Sequence, residues 1–309
     1  MRIHGFTEYG GADVEGLLEV PEPEVSDGTV LVRMLAAGVN PGDIKVRSGE
    51  RQGAFPVSFP MAMGREAAGE VVIDPSGTYT VGDPVFGSCA AGVGAFGDLT
   101  LLDLAKTARI PDGVDPEAAA CIPVGIGTAW DALVELGIGS GDTAVKKTVL
   151  VLGAGGGVGI HAVQLARHLG ATALGLARGA KLDLVAEHGG IPVDSNQDWK
   201  SAVQQQAGGG VTAVIDSVGG NLLREAAALV SPGAVRSAAD PATAGEVGGA
   251  AVTRRRTTEV YTELASLVAA GTLTPVIGQV HRFADAASAT AEVASGHASG
   301  KVVLLAPSR

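Results

Sequence analysis

The sequence is poor in cysteine, in tyrosine and in positive charge, and each shortage narrows what the chain can be. Only Cys89 and Cys121 occur in 309 residues, too few for a disulfide framework and without the paired spacing of a zinc or redox motif. A reducing compartment, the cytoplasm, is expected. Three tyrosines are present, Tyr9, Tyr79 and Tyr261, and none is followed four places later by lysine, so the Tyr-Lys acid pair of short-chain reductases is missing. Lys and Arg number 22 against 33 Asp and Glu, a net charge of -11, which argues against a polyanion-binding surface and against nucleic acid as a partner. No apolar run reaches the roughly 18 residues of a membrane span, and the opening MRIHGFTEYGG lacks the apolar core of an export leader. A soluble chain with no membrane partner is expected. The six histidines, His4, His161, His168, His188, His281 and His297, form no ligand cluster with the cysteines. His161 and His168 lie two helical turns apart, but without a third ligand they read as surface or satisfied histidines.

Glycine, by contrast, is abundant, at 46 residues. Through the first 120 or so residues, glycine and proline break the chain into short apolar strands at 28–39, 66–73 and 83–88, the mark of an antiparallel barrel. From about Val124 the pattern changes to strands alternating with helices: KKTVLVLG, ATALGLA, HGGIPVD, VTAVIDSV and GAVRSAA are the predicted strands. Such alternation implies a doubly wound parallel sheet. The predicted helix ending at His168 carries Val158, Ala162, Leu165, Ala166 and Leu169 on one stripe. Near the C-terminus, VYTELASLVAAG reads as a helix facing inward through Val260, Leu264, Leu267 and Val268, and KVVLL as a strand returning to the barrel. The Gly/Ala-rich 239–251 reads as a loop.

One glycine cluster has the right neighbours to carry chemistry. Gly153 is followed by Ala154, Gly155, Gly156, Gly157, Val158 and Gly159, an AxGxxG between a predicted strand and a predicted helix, where bare amides and the helix dipole can meet a dinucleotide's pyrophosphate. About 20 residues further on, where an acidic side chain would bond the ribose of NAD, the chain has Arg178 and then Lys181. A guanidinium and an ammonium suit a 2′-phosphate, so NADPH is the expected cofactor.

The segments LAAGVNPGDIKVRSG, FPMAMGREAAGEV, IPVGIGTAW, VLGAGGGVG and SGHASGKVVL resemble, in order and spacing, the medium-chain dehydrogenase/reductase superfamily. They look most like its zinc-independent quinone oxidoreductase branch. The resemblance implies an α/β protein with a GroES-like β-barrel catalytic domain, 1–123 and 256–309, and a Rossmann doubly wound parallel-sheet NADPH-binding domain, 124–255. It also implies a homodimer and an active site between the domains. Where zinc-dependent relatives place their ligands, this chain has Asn40, Arg65 and Val124. Losing the Lewis acid disfavours alcohol oxidation and leaves acceptors that delocalise charge themselves, quinones and activated alkenes, with an enoyl-thioester or enone reductase and a non-catalytic NADPH sensor as alternatives. By the same resemblance, Asn40 and Thr128 lie near the nicotinamide, Asp43 orders the Asn40 loop, and Lys45, where many relatives have tyrosine, polarises a carbonyl. Ser217, Val218 and Lys301 are further cofactor-facing candidates. The substrate pocket is assigned to Val124 and to Phe55 and Met61 of the segment GERQGAFPVSFPMAM, although apolar stripes of this kind more often pack into a core. Arg254, Arg255 and Arg256 read as a solvated face or an interface.

Overall fold

The computed structural model describes residues 1–139 and 147–307. Lys146, at the head of the predicted strand KKTVLVLG, lies outside the described residues. Two compact units are present: Met1–Val124 with Arg256–Gly271 and Ile277–Arg309, and Gly125–Arg255 with Thr272–Val276. Val124 thus falls in the first unit, and five residues near the C-terminus return to the second.

In the first unit, strands Thr29–Val39, Glu66–Ile73, Pro84–Cys89 and Leu99–Arg109 pair in that order, and the last pairs back on the first. The ring leaves no open edge among the four strands. Lys301–Leu305 joins antiparallel to Thr29–Val39, with Val302 opposite Val39 and Leu304 opposite Ala37, so the C-terminal strand does return to the barrel. Its side chains enter a core with Phe6, Met34, Val85 and Phe96. Met61 and Met63 belong to that same core, so Met61 is a packing residue here and not an open pocket wall.

The second unit is built on one parallel sheet, ordered Ile191–Asp194, Thr172–Ala177, Thr148–Leu152, Ala213–Asp216, Val235–Ser237 and Ala250–Ala251. Every residue of the central strand TVLVL is buried, as expected of a parallel strand covered on both faces. Helix Gly159–His168 packs along it and ends on Arg167 and His168, cations at the negative end of the helix dipole. The stretch 239–251 is not a plain loop. Asp240 caps a helix, Pro241–Glu246, by accepting from Thr243 N at 3.0 Å, and Ala250–Ala251 adds a short strand. The Asp-Pro pair at its head, cap plus first helical residue, outweighs the Gly/Ala composition.

The apolar helical run Pro116–Glu135 matches a membrane span by length and composition, yet 72% of its window is buried in the protein, as in a core helix. Helix Thr258–Ala269 turns inward along Tyr261, Leu264 and Ala265 instead of Val260 and Leu267. Tyr261 is fully buried, its hydroxyl 2.7 Å from Ser88 Oγ and its ring beside Phe86. A hydroxyl pair that both seats the helix and satisfies two buried oxygens contributes about 1–2 kcal/mol. Tyr261→Phe should therefore lower unfolding stability by about that amount in urea titration, and Tyr261→Ala by about 3–5 kcal/mol.

Candidate functional site

The glycine turn of the second unit joins strand Thr148–Leu152 to helix Gly159–His168. Gly153 takes φ +73°, a left-handed conformation open chiefly to glycine, and its carbonyl accepts from Gly156 N at 3.0 Å. A Cβ on Gly159 would stand 2.3 Å from that carbonyl, so the helix can start this close to the strand only without a side chain. Ala154 is fully buried and ties to the next strand through Leu176 O. Among the described residues the amides of Gly155, Gly157 and Val158 donate to no backbone carbonyl. They are donors suited to a pyrophosphate, and the turn fits a dinucleotide.

His161, one turn into the helix, is fully buried, with Nδ1 2.7 Å from Gly157 O and Nε2 accepting from Val276 N at 3.0 Å. Accepting at Nε2 makes Nδ1 the donor, so the neutral ring fixes the carbonyl side of the turn. Arg178 stands exposed just beyond strand Thr172–Ala177, and the aliphatic stem of Lys181 lies over Gly155, where a Cβ would meet it at 2.6 Å. Burial, with repulsion from Arg178 added, holds the Lys181 ammonium below its ordinary pKa. The two cations and the glycine turn are thus neighbours.

Ser217 and Val218 flank the turn, within 3 Å of where a Gly153 Cβ would be, and Ser217 Oγ donates to Leu152 O at 2.8 Å. A network that the sequence reading missed fixes them. Fully buried Asp216 accepts from Val218 N and Gly219 N through one oxygen and from Ser237 Oγ through the other. Asp240 accepts from Gly220 N and Thr243 N, bonds that bring its pKa down to about 2. An aspartate closing a predicted strand ahead of a Gly-Gly pair is the signal that could have found it.

The first unit centres on Glu66, which is fully buried. Its Oε1 accepts from Asn40 Nδ2 and from Lys301 Nζ, both at 2.8 Å, and its Oε2 accepts from Val124 N at 2.7 Å. Lys301 also donates to Asn40 Oδ1 at 2.5 Å. Asn40 Nδ2 donates to Gly38 O as well, so the amide assigned to the nicotinamide is engaged on every side, and Lys301 is held in the barrel unit by Glu66. Burial pulls the Lys301 ammonium down, but Glu66 outweighs it and leaves the pKa above the usual value.

Asp43 sits three residues beyond Asn40 in the first turn of helix Pro41–Arg47, and its Oδ2 accepts from Asn40 N at 2.8 Å. Its buried Oδ1 has no hydrogen-bond partner, and burial raises the carboxyl to about 7, against the opposing pull of the Asn40 amide, Arg65 and Lys301. Lys45 is partly buried on the same helix. Arg65 stacks on Phe55, 3.7 Å from guanidinium carbon to ring centre. Thr128 is buried in the second unit, where its Oγ1 accepts from Arg254 Nε at 3.3 Å, while Arg255 pairs with Asp131. Both arginines are solvent-exposed, as a solvated face requires, and each also has a partner within the second unit.

An amide, a guanidinium and an aliphatic side chain, Asn40, Arg65 and Val124, do not fit zinc, since none offers a thiolate, imidazole or carboxylate and the guanidinium repels a dication. Burial pushes the thiols of Cys89 and Cys121 up to about 12, away from the thiolate form that a nucleophile or metal ligand needs.

Residues 26–112 match the alcohol dehydrogenase GroES-like domain and 191–304 the zinc-binding dehydrogenase domain. The two matches together span most of the chain, which belongs to the medium-chain dehydrogenase/reductase superfamily. It is 37% identical over 213 residues to polyketide synthase GfsB of Streptomyces halstedii, covering 68% of this chain and 4% of that protein. It is 34% identical over 201 residues to a chloroplastic quinone-oxidoreductase homolog of Spinacia oleracea, covering 62% and 59%. A mycobacterial structure complexed with NADPH superimposes with TM-score 0.82 at 28% identity over 99% of both chains. The chain therefore spans a small part of the synthase and under two thirds of the spinach protein.

Two outcomes are expected. Lys301→Met strands the buried Glu66 charge and should cost about 3–5 kcal/mol in denaturant unfolding, with Lys301→Met/Glu66→Gln recovering part of it. For Asp43, a folded pKa near 7 lies above the unfolded value of about 3.9, so between them the native chain holds a proton that the unfolded chain has released. Stability from this group is present at low pH, falls as pH rises through that window and is flat above it. The stability of Asp43→Asn relative to wild type should therefore rise as pH rises from about 4 to about 7 and stay level above that, read by urea unfolding across the range.

Proposed function

We propose that this protein is an NADPH-dependent reductase that works without zinc and delivers hydride to a quinone or an activated alkene. The observation that carries the cofactor choice is the pair of cations beside the glycine turn. Arg178 and Lys181 sit where an acidic side chain would select NADH, and their mutual repulsion is relieved by a 2′-phosphate. The family likeness to a structure complexed with NADPH supports the same reading. NADPH supplies the hydride when bound.

The chain's own residues then have modest work. Gly155, Gly157 and Val158 offer amides to the pyrophosphate, and the Asp216–Ser237–Asp240 network holds the adjoining loop. Asn40, locked by Glu66 and Lys301, keeps its loop in one conformation instead of donating to substrate. Lys45 is the cation offered to a carbonyl oxygen on which charge develops. A conjugated acceptor spreads that charge through its own π-system, so no metal is required. Likeness to a segment of a polyketide synthase favours a second reading, saturation of an enone or enoyl thioester at the same site.

A steady-state screen of quinones, enones and enoyl thioesters with NADPH and NADH, read by cofactor oxidation and product mass, separates the readings. Tight NADPH binding with no turnover on any acceptor would leave the sensor role instead. Arg178→Ala should weaken NADPH about tenfold or more while changing NADH by no more than about twofold. Equal losses for both nucleotides would remove Arg178 from the 2′-phosphate. Elemental analysis should find no stoichiometric zinc, and chelators should leave the rate unchanged.

A further inference from the structure

Among the described residues five arginines of the first unit, Arg33, Arg51, Arg65, Arg256 and Arg282, form no salt bridge; Arg33, Arg51 and Arg282 are exposed, whereas Arg65 and Arg256 are partly buried. Arg2, Arg47, Arg109, Arg224, Arg236 and Arg255 each have a carboxylate within salt-bridge distance. Arg65 is half withdrawn from water, and its guanidinium lies on the face of Phe55. Arg51 is on the same turn as Phe55, its carbonyl accepting from Ala54 N and Phe55 N at 3.0 Å. The Nε of Arg256 is buried with no hydrogen-bond partner at all. A guanidinium keeps its charge under all ordinary conditions, and a buried N–H left unbonded costs free energy.

We propose that Arg65, stacked on Phe55 and flanked by Arg51 and Arg256, binds an oxyanion carried by the acceptor substrate, a carboxylate or a phosphate remote from the reacting double bond.

The inference rests on the reductase reading and narrows its substrate class. Burial is the main influence lowering the Arg65 pKa, Asp43 opposes it, and Arg256 and Arg51 add repulsion, which puts the three cations within electrostatic range of one another; the backbone of Arg51 is bonded to that of Phe55, on which Arg65 stacks. Asp43 is a poor neutraliser, because its own carboxyl is raised to about 7 and remains partly protonated at neutral pH. A carboxylate or phosphate would meet the planar fork of Arg65 in bidentate fashion and give Arg256 Nε an acceptor. The Phe55 ring beneath the guanidinium holds it in plane, which reduces the freedom lost on binding. In an acidic protein this is a local field that favours one class of small molecule.

The test uses matched acceptors that differ only in the anion, with full-length protein saturated in NADPH. One pair is 6-oxo-7-octenoate, whose carboxylate is separated from the enone by four methylenes, and its methyl ester; the other is an enoyl thioester of 4′-phosphopantetheine and of pantetheine. For at least one pair the charged member should have a kcat/KM at least about tenfold higher. Which pair responds tells a carboxylate from a phosphate. Arg65→Gln and, separately, Arg256→Gln should bring that ratio to within about threefold of unity, whereas Arg224→Gln, at a surface pair of the other unit, should leave it as in wild type. Ratios near unity for both pairs in the wild-type protein would overturn the inference while leaving the reductase reading intact. A ratio that also collapses in Arg224→Gln would overturn it too, as a general charge effect. Absence of turnover with every acceptor would be a failure of the reductase reading, and binding then decides: calorimetry should find 6-oxooctanoate bound at least about tenfold more tightly than its methyl ester, or 4′-phosphopantetheine at least about tenfold more tightly than pantetheine, and equal affinities within both pairs would overturn the inference.

Discussion

A buried carboxylate that must be neutralised organises the first unit. Glu66 has no access to water and three donors converge on it: the Asn40 amide, the Lys301 ammonium and the Val124 amide. Removing either charge alone leaves the other stranded, at a cost of a few kcal/mol, so the first barrel strand, the segment reaching 124 and the C-terminal strand are bound to one arrangement. Gly38 completes the requirement, since a Cβ there would stand 2.1 Å from Glu66 Oε1. The chain's last strand is needed in the barrel because it brings Lys301 to that carboxylate. The same geometry occupies every polar atom of the Asn40 side chain, which turns a residue expected to touch substrate into one that fixes the loop around it.

The second unit meets a similar demand with aspartates that accept backbone amides. Asp216 and Asp240 take the donors of the loop after strand Ala213–Asp216 and of the turn into helix Pro241–Glu246. That loop carries Ser217 and Val218 against Gly153, so the glycine turn is held from the side as well as from the helix behind it, where His161 bonds Gly157 O. Fixed donors matter for anion recognition, because amides already in place need no reorganisation when charge arrives.

Strand periods and the strand-glycine-helix junction were legible because they depend on local pattern: TVLVL, TALGLA and AVID are apolar runs that a covered parallel sheet demands. What the sequence hid depends on contacts distant along the chain. Glu66 and Lys301 are 235 residues apart, and nothing local to either reports the pair. Tyr261 escaped notice as a core residue because its hydroxyl needs Ser88, 173 residues away. Helix Pro241–Glu246 was masked by glycine and alanine, although its Asp-Pro start was visible. Met61 illustrates the converse error, an apolar residue near a loop assigned to recognition when the barrel core had room for it.

Net charge and local charge then give opposite advice about partners, and distance decides between them. At physiological ionic strength exposed charges are screened over about 8 Å, so the excess of 11 negative charges spread over the whole chain says little about any one site. What a small ligand meets is the nearest few groups. Beside the glycine turn those are Arg178 and Lys181; beside Phe55 they are Arg65, Arg51 and Arg256. A local set of two or three cations is far smaller than the wide basic surface that a polyanion needs. It still admits small molecules with one or two phosphates or carboxylates, whose charge is matched over a few ångströms. Short-range pairing also separates Arg255, equally basic in sequence, from those sets, because Asp131 already meets its charge.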